Sequence, residues 1–102
     1  MTYLDAVAED IRRAIPHAIL PDEDTSNFFL SYAVLLLAKG DAVTREDVHN
    51  AWVAWMEVKG DEHESMVPFD QLPLATQGED SPFVLAIRAV ARSMKEQTQP
   101  DQ

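Results

Sequence analysis

The sequence predicts an all-α protein, a small bundle of four main helices with a long, ordered, proline-containing connection between helices three and four. Three observations predict it. Apolar residues recur at helical spacing in four segments. No run alternates apolar and polar residues long enough for a strand, and no Asn-Gly or Asp-Gly hairpin turn is present. Each segment is bounded by a residue that starts or stops helices. The chain has 102 residues, which suits a single helical domain over 1–96 and a frayed tail over 97–102.

Helix one spans Tyr3 to Ile15, with Leu4, Val7, Ala8 and Ile11 on its apolar side and Asp5, Glu9, Asp10, Arg12 and Arg13 on its wet side. Thr2 caps its first turn, with Asp5 three residues on. Pro16 stops it, because proline lacks an N–H and clashes with the preceding turn. The connection His17–Thr25 carries Pro21 and the acidic run Asp22-Glu23-Asp24. Helix two, Asn27 to Lys39 after Thr25 or Ser26, is apolar on most sides, which places it centrally; a homodimer through part of it is a second expectation. Gly40 stops it. Helix three begins at Thr44, where "T44-R-E-D47" resembles a capping box with Asp in place of Glu, and runs to Val58 before Gly60. Helix four begins at Ser81 with Pro82 in the first helical position. Its core face is Phe83, Val84, Ile87, Val90, Ala91 and Met94.

Composition excludes several classes. The chain has no cysteine, so it holds no disulfide, thiolate nucleophile or cysteine-based zinc site, which fits a reducing compartment. With three glycines it shows neither a P-loop nor a dinucleotide fingerprint, and it has no nucleophile elbow. The N-terminus does not read as a secretory leader, and the longest apolar run, near Phe28–Ala38, is too short to span a bilayer. The expectation is a cytoplasmic protein without membrane contact. Net charge is −10, which opposes binding to nucleic-acid backbone and favours solubility or a basic partner. His49, His63 and "D61-E-H-E64" do not form a recognised metal-ligand spacing, so a solvated acidic turn is the reading preferred.

The stretch "H63-E-S-M-V-P-F-D-Q-L-P73" asks for an explanation. Pro68 forces Val67 toward extended backbone, so Met66, Val67 and Phe69 can plug the gap between helices three and four, and Asp70 can cap a short helical turn started by Pro73. Alternatively the stretch walls a ligand pocket together with Trp52 and Trp55. These tryptophans share one face of helix three and read either as core or as a stacking surface for a planar ligand. Arg88 and Arg92, one turn apart, read either as a solvated face or as an anion site.

"V48-H-N-A-W52", "H63-E-S-M-V-P-F-D-Q-L-P73", "Q77-G-E-D80" and "I87-R-A-V90" together resemble the ryanodine-receptor repeat over residues 48–90, in the manner of a small actinobacterial or actinophage protein. The resemblance implies a binding module rather than an enzyme, with a nucleotide-derived small ligand and no cofactor. In that ligand site Trp52, Trp55 and Phe69 stack, His63 donates a hydrogen bond and Arg88 meets an anion. The rival expectation is a small acidic factor that acts on a host protein or mimics DNA.

Overall fold

The computed structural model describes residues 2–20 and 25–98. Within them the architecture is the expected all-α bundle of four long helices, with one short helix added in the connection. α1 spans Tyr3–Arg13. The Thr2 N–H donates to Asp5 Oδ2 at 2.7 Å, as the spacing predicts. α1 ends two residues before the expected Ile15, because a residue preceding proline is driven out of the helical region. Ile15 is nevertheless buried, so its side chain serves the core from outside the helix. A 3₁₀ turn follows at His17–Ile19. Pro21 and the run Asp22-Glu23-Asp24 lie outside the described residues.

α2, Ser26–Lys39, packs against α1, α3 and α5 and is the central helix its composition predicts. Phe28, Phe29, Tyr32, Ala33 and Leu36 are buried, with the Phe29 and Tyr32 rings perpendicular at 5.6 Å. One side stays outside the core, where Val34 is 55% exposed and Leu37 48%. Gly40 ends the helix at φ +60°, a backbone region that a side chain would strain, and the chain turns through Gly40–Ala42.

α3 spans Arg45–Lys59. Its capping box is present: the Asp47 N–H donates to Thr44 Oγ1 at 3.2 Å and the Thr44 N–H to Asp47 Oδ2 at 2.9 Å. Lys39 Nζ also donates to both Asp47 oxygens, at 2.9 and 3.0 Å, so one carboxylate ties the end of α2 to the start of α3. Burial pushes the Asp47 carboxyl up, but the bonds from Lys39 and Thr44 outweigh it and hold the group below its ordinary value. Gly60 closes α3 in the left-handed region at φ +79°.

The connection contains a 3₁₀ turn at Phe69–Gln71 and a five-residue helix, α4, Leu74–Gly78. Both follow a proline in extended conformation, Pro68 at φ −53°, ψ 144° and Pro73 at φ −56°, ψ 148°. Asp70 does not cap α4: it sits inside the 3₁₀ turn, and Pro73 occupies the cap position. Gln77 fastens the segment from behind, its Nε2 donating to the Leu72 carbonyl at 3.0 Å and the Phe69 carbonyl at 3.3 Å.

α5, Ser81–Thr98, buries Val84, Ala86, Ile87 and Val90. It continues through Gln97 and Thr98, the first residues of the expected tail; 99–102 lie outside the described residues. The innermost side chains are Ile11, Tyr32, Val43, Val48 and Ile87. No helix among the described residues is long and apolar enough to cross a membrane.

Candidate functional site

A cavity of about 460 Å³ opens between α2, α3, the connection and the start of α5. Phe28 and Tyr32 of α2, Trp52 and Trp55 of α3 and Phe83 of α5 give it aromatic walls. Helical spacing explains the arrangement: Trp52 and Trp55 lie three residues apart and so share a face. Leu72 of the connection closes one side, and Thr76, Glu79 and Asp80 form the polar end.

Trp55 is already engaged. Phe28 stacks on it at 4.8 Å, and Lys59 Nζ lies 3.8 Å from its ring centroid. Trp52 is held more loosely, with His63 edge-on at 5.4 Å and His49 tilted at 5.8 Å. The Ser65 N–H donates to His63 Nδ1 at 3.0 Å, so the neutral imidazole carries its proton on Nε2. His49 is only 3% exposed, and its Nε2 lies 2.7 Å from the Val67 carbonyl. A carbonyl can only accept, so His49 Nε2 is the donor. This bond fixes the connection to α3.

Asp80 is the electrostatic centre of the site. Burial pushes its carboxyl up to about 6; His49 and Arg45 pull it down and Glu79 pushes it further up. Among the described residues no group hydrogen-bonds or ion-pairs its carboxylate. Burial, with help from Asp80, also raises the Tyr32 hydroxyl well above its ordinary value. Among the described residues no lysine or arginine lines the cavity.

Three of the five expected ligand residues, Trp52, Trp55 and His63, meet at this cavity. The other two stand apart from its lining. Phe69 lies 6.0 Å from His49, with the Arg45 guanidinium 5.8 Å from its ring. Arg88 Nε donates to the Val43 carbonyl at 2.9 Å, and Arg92 Nε faces Asp41 Oδ2 at 3.8 Å. These two arginines link the Gly40–Val43 turn to α5. In the His63–Pro73 stretch, His63, Ser65 and Leu72 wall the cavity, while Met66, Val67 and Phe69 lie half-buried outside it and outside the core cluster. The sequence reading missed His49, Tyr32, Thr76 and Asp80. His49 had a signal, since it heads the His-x-x-Trp pattern, whereas Asp80 reads only as a charge ahead of a helix. No group of three metal-ligating side chains occurs among the described residues.

Fold and site together define a small all-α bundle with an aromatic pocket that two acidic residues also line. The chain belongs to a family described as a domain of unknown function, DUF7701, whose model matches residues 2–92. That match overturns the ryanodine-receptor-repeat resemblance. It takes in α1 and α2, which the resemblance left without counterpart, and the quoted motifs have local causes here: His-x-x-Trp serves the bond to Val67, and each proline starts a helical turn. No curated protein and no solved structure matches the chain.

Proposed function

We propose that the chain is a non-catalytic module that binds a small molecule in the aromatic pocket. The observation that carries this reading is the cavity itself. Its volume falls in the range of ordinary ligand sites, about 300–1,000 Å³, and such sites pair apolar walls with a few converging polar groups. Trp52, Phe83 and Leu72 supply apolar contact, while His63, Thr76 and Asp80 supply orientation. The ligand need not be nucleotide-derived: Arg88, the residue assigned to a phosphate, stands outside the cavity lining and donates its Nε–H to Val43. A binding role is preferred to an enzymatic one because the polar lining residues do not pair into a nucleophile and base; His49 is committed to a carbonyl and His63 to a backbone N–H.

A thermal-shift screen against small aromatic compounds of all three charge classes tests the reading. A ligand at a hundred times its dissociation constant stabilises the fold by about 2.7 kcal/mol, a shift of several degrees in a domain of this size. Thr76→Phe, which fills the polar end, abolishes the shift. A panel without any shift, or a shift untouched by Thr76→Phe, refutes the proposal.

The alternative is an acidic protein-interaction factor. It is favoured by the exposed turn where Glu57, Asp61, Glu62 and Glu64 surround His63. Salt-sensitive capture of a basic partner, lost on neutralising these four acids, supports it.

A further inference from the structure

We infer that the pocket selects small organic cations, an amine or ammonium group attached to an apolar or aromatic body. The inference rests on the pocket reading above and adds the charge of the ligand. Two acidic residues, Glu79 and Asp80, adjacent in the chain, line the cavity, and among the described residues neither lysine nor arginine does. Asp80 is half-buried and its carboxylate lacks a hydrogen-bond partner among the described residues. A carboxylate in that position has given up water without a full replacement, and an entering ammonium supplies it as a charge-assisted hydrogen bond. The rest of the lining suits the other end of the same molecule. Phe28, Trp52 and Phe83 offer ring faces and edges, and aromatic rings also attract cations. The chain already shows the last interaction, with Lys59 Nζ 3.8 Å from the Trp55 centroid. A phosphate or carboxylate ligand meets the opposite situation, since it would be placed against Glu79 and Asp80. His49, itself a lining residue, and Arg45 are the basic groups that lower the Asp80 carboxyl. His49 spends Nε2 on Val67, and Arg45 stands outside the cavity lining, over Phe69.

Three probes of one size decide the charge: phenethylammonium, 2-phenylethanol and phenylacetate, titrated at neutral pH and equal ionic strength and read by tryptophan emission. Phenethylammonium binds at least about tenfold tighter than 2-phenylethanol, the equivalent of one hydrogen bond to a charged group, and phenylacetate binds weakest. Asp80→Asn removes most of the cation's advantage over the alcohol. Glu96→Gln, an equal change in net charge at an exposed position of α5, leaves the advantage intact. If the alcohol or phenylacetate binds as tightly as the cation, or if Glu96→Gln acts like Asp80→Asn, the charge assignment is wrong while the pocket stands. If all three probes fail to bind, both the assignment and the pocket reading fall.

Discussion

Asp80→Asn should make the protein more stable at neutral pH, although it removes a charge from the start of a helix. The folded carboxyl titrates near 6, against 3.8 for the free group. Between those values the folded state holds a proton that the unfolded chain has released. Folding therefore binds protons, and stability falls as pH rises from about 3.8 through about 6. A shift of that size corresponds to about 3 kcal/mol if taken whole. Asp80 is only half-buried, so solvent screening reduces it. The N-terminus of α5 also favours a negative charge, by about 0.3–1 kcal/mol. A net gain of roughly 1–2 kcal/mol for the asparagine remains above the upper value, which raises the melting temperature by several degrees. Asparagine retains the shape of the side chain without its charge. The assay is urea denaturation of both proteins from pH 3.5 to 8. The difference between them is near zero at the acid end, grows through the middle and is flat above about pH 7. An asparagine variant less stable at neutral pH, or a difference that ignores pH, refutes the claim that desolvation governs this group.

The other carboxylates and the core give contrasting expectations. Asp47→Ala loses both the capping box and the tie to Lys39, at about 1–2 kcal/mol near neutral pH; because the folded Asp47 titrates below its ordinary value, that loss shrinks as the medium is acidified through it, which denaturant melts at several pH values reveal. Ile87→Ala empties a fully enclosed site and costs about 2–5 kcal/mol in urea titrations. Arg88→Met strands the Val43 carbonyl and costs about 1–3 kcal/mol, yet leaves affinity for a pocket ligand unchanged; a fall in affinity at unchanged stability would restore Arg88 to the site.

Much of the fold is legible in the sequence because its signals are local. Thr2, Thr44, Gly40 and Gly60 mark helix ends through bonds and dihedrals set within a few residues, and they appear where the spacing puts them. The misplaced end of α1 is local too: Pro16 acts on the residue before it as well as on the helix. The site is less legible because its chemistry is made by distant neighbours. Trp52 and Trp55 share a face by period alone, and the sequence finds them. Arg88 reads as a free cation until Val43, forty-five residues earlier, claims it. Asp80 has the opposite history: nothing in "G78-E-D-S81" distinguishes it from the other acids. Its unusual titration comes from burial beside the cavity that it lines together with Tyr32, Phe83 and Trp52, which only the assembled bundle provides.

The bond between Arg88 and Val43 also bears on how the chain is made. α2 is flanked by α1, α3 and α5, and the turn after it is fastened by a side chain from the last of these. A chain emerging from the ribosome delivers α5 after the other helices of the bundle. Until then the flank of α2 that meets α5, Tyr32 included, lacks a complete cover, and the Val43 carbonyl lacks its donor. The half-made protein is thus a sticky intermediate that a stop codon before Arg88 would leave permanently open, a substrate for chaperones and proteases rather than a smaller version of the domain.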